Sequence, residues 1–376
     1  MKKNQPVVVL GLGAAGLFLV RQLQNITDNV YAIGRSDDIG MFSKYIRKDR
    51  RYYTENDNEI KNIFKKINEI NKEKPHLYIA SDQYLTLLLN SSINWTEYVI
   101  LEGSDFETLE IINDKENVLE YCIKNGIRVP ESFPLAMAEK RGNSLHYPLI
   151  IKWNEKQLNV KKNPIGKIRI CQSEKDFQNI CHELHLKNIS EAMFHVQTFI
   201  EGDNSYQFSA GGFYKKGELL AGVVVNQPIQ YPQGISACVF TIQDEKANVI
   251  QNIVSKFAHH LSYSGFLEME FKIDKNTGEY VLLDINPRPW GWVSVLGKAY
   301  NDFYKVFEGE KAISHGRTVV WKSNIRILMS GKNKNNTKVA MPKNDFIKAF
   351  DLHDPMDKRP GFMIYFLSIL KFFKRL

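Results

Sequence analysis

Gly265-Phe-Leu-Glu-Met-Glu-Phe-Lys-Ile-Asp274 and Tyr280-Val-Leu-Leu-Asp-Ile-Asn-Pro-Arg288 decide the fold of this chain. Two alternating apolar runs flank the turn segment Lys275-Asn-Thr-Gly278 and predict a β-hairpin. Glu270 falls in the middle of the first arm, and Asp284 and Asn286 lie two apart on the second, on one face. An apolar strand does not carry a carboxylate cheaply, because burying an unpaired charge is very costly. Two acids and an amide oxygen converging on one spot suit a hard, oxygen-seeking cation, and Arg288 adds a phosphate-sized positive charge. The arrangement is that expected for Mg²⁺ holding a nucleoside triphosphate.

Working outward, 376 residues exceed a single ordinary core and predict two or three domains. A hydrophobic content of 43% with 24% charged residues belongs to a globular protein, not a disordered one. The excess of 50 basic over 42 acidic residues gives a formal charge of +8, which favours anionic partners. No nucleic-acid-binding module accompanies it, so no nucleic-acid partner is expected. Cys122, Cys171, Cys181 and Cys238 show neither CxxC spacing nor paired histidines, which argues against a disulfide scaffold or zinc site and for a reducing cytoplasm. The apolar stretch Val7 to Val20 after Lys2-Lys3 resembles a signal peptide, but glycines interrupt it and no cleavage site follows.

Strand Pro6–Leu10, the turn Gly11-Leu-Gly13-Ala-Ala-Gly16, a helix to about Gln24 and strand Val30–Ile33 open a parallel sheet with helical crossovers. A helix over Glu59–Ile70, strand His76–Ala80, helix Gln83–Leu89 and strand Glu97–Leu101 complete this unit near Asn113. Asp114-Lys115 caps a helix closed by Asn125-Gly126. Strands Tyr147–Lys152, Gly166–Cys171 and His195–Ile200 surround a helix at Glu174–Leu184, giving an α+β lobe. Antiparallel runs at Ser205–Gly212, Glu218–Val225 and Ser236–Thr241, and a helix over Glu245–Leu261, lead to the hairpin.

The glycine turn fits the dinucleotide fingerprint. The acid expected after the second strand is absent, and Arg35 stands where it could accept a 2′-phosphate. An NADP-binding Rossmann oxidoreductase is therefore the alternative, together with a non-catalytic ATP-binding module. The oxidoreductase reading leaves the acids of the hairpin without a purpose.

On these residues the chain resembles the ATP-grasp superfamily, in the carboxylate–amine ligase branch that includes D-alanine–D-alanine ligases, carbamoyl phosphate synthetases and D-aspartate ligases. The resemblance covers about residues 6–330. It implies α/β and α+β architecture: residues 1–113 a Rossmann-like pre-ATP-grasp domain, 114–200 a lid lobe, 201–340 a C-terminal antiparallel-sheet lobe for metal and ATP, and 341–376 an apolar, basic tail. By motif, Lys115 and Lys152 match the triphosphate-binding lysines, and Lys152 is also assigned a catalytic role with Arg288, which matches the arginine that steadies the transferring phosphate. Gln197 and the backbone of Thr198, Phe199 and Ile200 match the adenine hinge, and Asp203-Asn204 stand where the family places its ribose-binding acid. Glu270, Asp284 and Asn286 match the metal ligands. The lid loop Lys161–Lys167 departs from the family in having one glycine and three lysines.

The implied cofactors are ATP and Mg²⁺, with Mn²⁺ as a substitute, and the implied products are ADP, phosphate and an amide. Gly11, Gly13, Tyr231, Gly234 and Trp290 are weaker candidates for substrate contacts, and the Trp290–Trp292 pair reads equally as core. The charge and tail point to an amino acid joined to a cell-envelope precursor or a sugar acid. For Gly361–Leu376, packing on the protein's own core is favoured over peripheral contact with anionic lipid at the inner membrane face. A homodimer is implied by analogy alone.

Overall fold

The computed structural model describes residues 4–153, 168–330, 342, 345–350 and 352–364. The lid loop Lys161–Lys167, the side chain of Lys115 and the tail beyond residue 364 lie outside the described residues, with the expectations placed on them.

The first unit is a parallel sheet of β1 (Val7–Leu10), β2 (Val30–Gly34), β3 (Arg51–Tyr53), β4 (His76–Ile79) and β5 (Ile100–Leu101), ordered β3-β2-β1-β4-β5. β1 reads Val-Val-Val-Leu and is buried throughout, as a central parallel strand covered on both faces must be. Helices α1 (Ala14–Leu23), α2 (Asp57–Asn71) and α3 (Asp82–Leu89) cover it. In α2, Ile60, Phe64 and Ile67 bury one stripe, and Asn56 caps its start by accepting from the Glu59 amide at 3.0 Å. The strand expected over Glu97–Leu101 is shorter. Trp95–Glu97 form a 3₁₀ turn because the Trp95 ring is buried and its indole N–H donates to the Leu88 carbonyl at 3.0 Å.

After α4 (Phe106–Asn113), helix α5 (Lys115–Lys124) starts as expected, with the Asp114 carboxylate accepting from the Asn117 amide at 3.1 Å. A four-stranded antiparallel sheet of β6 (Ser132–Pro134), β7 (Leu149–Trp153), β8 (Ile168–Cys171) and β9 (Phe194–Thr198) runs in the order β6-β9-β7-β8. With α6 (Leu135–Arg141) and α7 (Glu174–Leu186) it encloses its own core around Leu149, Ile151, Phe177 and Val196. A lobe with a private core can move as a unit.

The largest sheet holds β10 (Gln207–Lys215), β11 (Glu218–Gln230), β12 (Ser236–Ile242), β13 (Gly265–Ile273), β14 (Tyr280–Asn286), β15 (Thr318–Lys322) and β16 (Phe346–Ala349), in the order β14-β13-β10-β11-β12-β15-β16. Helix α8 (Glu245–His260) packs on one face of β10 and β11, burying Ile250, Val254 and Phe257 in one core with Phe208, Leu267 and Met269. One further core runs without a break from α1 into this lobe, with the Phe18 and Phe303 rings 5.5 Å apart and Tyr78 edge-on to Phe307 at 5.4 Å. The first and last units thus share one core, and the middle lobe meets the last unit through Lys152 at the Leu283 carbonyl and Phe199 at Lys272.

The C-terminal segment is not loosely attached where it is described. β16 pairs in parallel with β15. Beyond it the fully buried Asp357 carboxylate accepts from Arg21 Nε at 3.2 Å, Ser43 Oγ at 2.8 Å and the Lys44 amide at 3.0 Å.

Candidate active site

The hairpin forms, and its register sets the chemistry. Glu270 pairs with Asp284 and Glu268 with Asn286, so all four side chains project from one face of β13 and β14. A bulge just before Asp284 leaves Leu283 outside the ladder, and its carbonyl faces Lys152 Nζ at 3.4 Å. Lys152, near the end of β7, therefore meets the acidic hairpin beside Asp284.

Asn286 Nδ2 donates to Glu268 Oε2 at 3.0 Å, and Asn286 Oδ1 accepts from an Arg288 NH2 hydrogen at 3.3 Å. Arg288 also makes a two-pronged ion pair with Asp82 at the first turn of α3, and donates to the Pro289 carbonyl at 2.8 Å. Burial works against the guanidinium's charge, but Asp82, Glu268 and Asp284 more than offset it. Glu268 is 3% exposed, and burial, followed by the Glu270 charge, pushes its carboxyl well above the usual range. Three carboxylates crowd one face here, while the nearby guanidinium is committed to Asp82. The all-oxygen character of this donor set fits a hard divalent cation.

Thirteen ångströms of strand, by the rise of about 3.3 Å per residue, separate Glu268 from Lys272 on the same face. Lys272 Nζ lies 4.6 Å from the centre of the Phe199 ring, and burial pushes its pKa down to about 8, against the pull of Glu201, Asp203 and Asp274. The segment Gln197–Ile200 thus packs through Phe199 against β13, the strand that carries Glu268 and Glu270. Gln197 is buried. The Thr198 and Phe199 amides already donate to the Glu131 and Pro148 carbonyls at 3.0 and 3.3 Å. The Ile200 amide donates to no group among the described residues, which makes it the hinge N–H open to a base. Asp203 accepts from the Ser205 amide at 2.8 Å, and Asn204 is buried.

The weaker candidates separate. Tyr231 and Gly234 form the β11–β12 turn, tied by the Gly234 amide to Gln230 Oε1 at 3.0 Å, and Gln233 reaches Asn204 Oδ1 at 3.5 Å. That turn lies beside the hinge loop. Trp290 is 1% exposed and packs on Gly211, where an added Cβ would come within 2.1 Å of the indole. It anchors the segment after Arg288 as core. Gly11 and Gly13 lie at the start of α1, but the Asp38 carboxylate accepts from the Leu12 and Arg35 amides at 3.0 Å each. Arg35 Nε pairs with Asp37 at 3.1 Å. An acid in the turn and a paired arginine are poor company for a dinucleotide phosphate.

Sequence reading misses three residues of this constellation. Glu268 and Lys272 share the parity of Glu270, which was the available signal, whereas Asp82 carries no local signal.

The fold and this geometry define the class: the chain has the ATP-grasp fold. Its architecture matches an N5-carboxyaminoimidazole synthase from Aspergillus clavatus solved with ADP and 5-aminoimidazole ribonucleotide, at a TM-score of 0.64, 15% identity, and coverage of 85% of this chain and 82% of that one. The biotin carboxylase domain of Hydrogenobacter thermophilus 2-oxoglutarate carboxylase, solved as a dimer with MgADP, ADP and bicarbonate, matches at a TM-score of 0.64 and 14% identity over 85% and 74%. Among curated proteins the chain is similar to a D-aspartate ligase of Enterococcus faecium, 24% identical over 239 residues. That match spans 58% of this chain and 54% of the relative, about half of the relative's length. No protein-family model matches the chain. Among the described residues no helix is long and apolar enough to cross a membrane.

Proposed function

We propose that this protein is an ATP-dependent carboxylate–amine ligase that makes an amide through an acyl phosphate, with ADP and phosphate as products. The observation that carries the reading is the single face formed by Glu270, Asp284 and Asn286 with Lys152 at its edge. Glu270, Asp284 and the Asn286 carbonyl oxygen would hold Mg²⁺, with Mn²⁺ as a substitute, and the cation would offset charge on the transferring phosphoryl group. Lys152 would meet a triphosphate between the lobes with its ammonium, Gln197 and the Ile200 amide would meet the base, and Lys272 would meet the phosphates next to the nucleoside. Arg288 supplies fixed positive charge at the acyl end. The chain's work is positioning and electrostatic stabilisation, for which no protein nucleophile is required.

The similarity to a D-aspartate ligase supports an amino acid as one substrate, and the basic surface supports an anionic cell-envelope precursor or sugar acid as the other. A panel of D- and L-amino acids and uronic acids, each with hydroxylamine as a surrogate amine, tests this through phosphate release from Mg·ATP. Stimulation by at least one acid is expected, and silence across a panel containing D-aspartate contradicts the substrate class. Thermal shifts separate the oxidoreductase alternative: Mg·ATP at a hundred times its Kd stabilises by about 2.7 kcal/mol, and NADP gives no shift.

Lys272→Met keeps the aliphatic stem and removes the ammonium. It is expected to weaken Mg·ADP binding about tenfold, or about 1.4 kcal/mol, by calorimetry, while adenosine binding is unchanged. Equal loss for both ligands would place Lys272 away from the phosphates.

A further inference from the structure

We infer that Asp82, contributed by the first domain, is the positioning residue for Arg288, and that the glycine turn exists to seat it. The inference rests on the ligase reading.

A guanidinium has five N–H donors. The Nε hydrogen and one NH2 hydrogen go to the two Asp82 oxygens, the second NH2 hydrogen to Asn286 Oδ1, and one NH1 hydrogen to the Pro289 carbonyl. Four donors are committed, leaving one NH1 hydrogen for a phosphate or acyl oxygen. An arginine meant to wrap a phosphate with its fork would not be spent in this way. Arg288 instead presents one hydrogen in a set direction, and Asp82 sets it.

Asp82 is held in turn by the first domain. It follows Ser81, the N-cap residue of α3, at the end of β4. Gly11, at a φ of +89°, leaves only backbone against Ser81, where an added Cβ would lie 2.5 Å from the Ser81 Cβ. Gly16 lets α1 close on the same turn, since a Cβ there would lie 2.0 Å from the Gly11 carbonyl oxygen. Gly11 and Gly16 thus permit the approach of α3, and a chain of contacts runs from Gly11 through Ser81, Asp82 and Arg288 to Asn286 and Glu268. The catalytic face is incomplete without the first domain.

Asp82→Asn, Arg288→Lys and the double variant form the test, in the full chain, by phosphate release from Mg·ATP with the most stimulating acid of the panel. Asp82→Asn is expected to lower kcat about 10–100-fold, in the range seen for outer-shell partners, with the KM for ATP and the Kd for Mg·ADP within about twofold of wild type. The double variant is expected to match Arg288→Lys within about twofold, because Asp82 acts through Arg288. An unchanged kcat in folded Asp82→Asn, or losses that multiply in the double variant, overturns the inference. Should Asp82→Asn fail to fold, Asp82→Glu keeps the charge but displaces the pair, and is expected to lower kcat with KM intact; wild-type kcat in that variant is equally contrary. Wild-type protein that neither binds Mg·ADP nor releases phosphate would refute the ligase reading itself, whereas normal wild-type turnover with an indifferent Asp82 refutes the positioning role alone.

Discussion

Glu270→Gln and Asp284→Asn each lower acid-stimulated phosphate release from Mg·ATP by roughly 10²–10³-fold or more, with the thermal midpoint close to that of wild type. The two residues face each other across the hairpin, so each substitution removes one negative charge from the proposed cation-binding face while keeping its shape. Folding is spared because the change relieves repulsion among crowded carboxylates. Glu268→Gln should behave differently. Its oxygen can still accept from Asn286 Nδ2, so it keeps the amide oriented, and a milder loss of about 10–100-fold is expected. The comparison is made by titrating Mg²⁺ at fixed ATP: the first two variants require much more metal, and Glu268→Gln only somewhat more. Near-wild-type turnover in either Glu270→Gln or Asp284→Asn would remove the metal assignment.

Asp357→Ala is expected to cost about 3–5 kcal/mol, the largest stability effect among the changes considered. The carboxylate is fully buried and serves Arg21, Ser43 and Lys44 together, while Arg21 also holds the Leu352 and Asp357 carbonyls at 3.1 and 3.2 Å. Removing it takes a buried carboxylate away from a guanidinium with 9% side-chain exposure. For domains of this size the loss corresponds to a midpoint lowered by roughly 6–20 °C. Arg21→Met in the same background should recover part of it, because less buried positive charge then remains to be balanced. A midpoint shift of only a degree or two would show that the C-terminal segment is not docked on α1 as described.

How much was legible follows from what kind of signal each residue carries. Period-two alternation placed Glu270, Asp284 and Asn286 on one face, and the structure keeps them there. The Asp114 cap and the apolar run of β1 were equally local. Glu268 was harder: its pairing with Asn286 follows from the ladder register, and the Leu283 bulge, which breaks period two in β14, cannot be seen in the residues. Lys272 had the right parity, but its value depends on Phe199 closing over it from another lobe. Asp82 and Asp357 act on partners 206 and 336 residues away, respectively, and no local pattern reports such a contact. The glycine turn carries a signal of another kind. Its spacing is that of a nucleotide-binding loop, and Gly11 and Gly16 serve close backbone approach.

A crystal structure of the chain with Mg²⁺ and a non-hydrolysable ATP analogue tests the central claim most directly. The account predicts a magnesium ion bound by Glu270, Asp284 and the Asn286 oxygen, with the triphosphate running past Lys152 and the base against Ile200. Nucleotide bound elsewhere, or a hairpin bearing no ion at saturating magnesium, would contradict it.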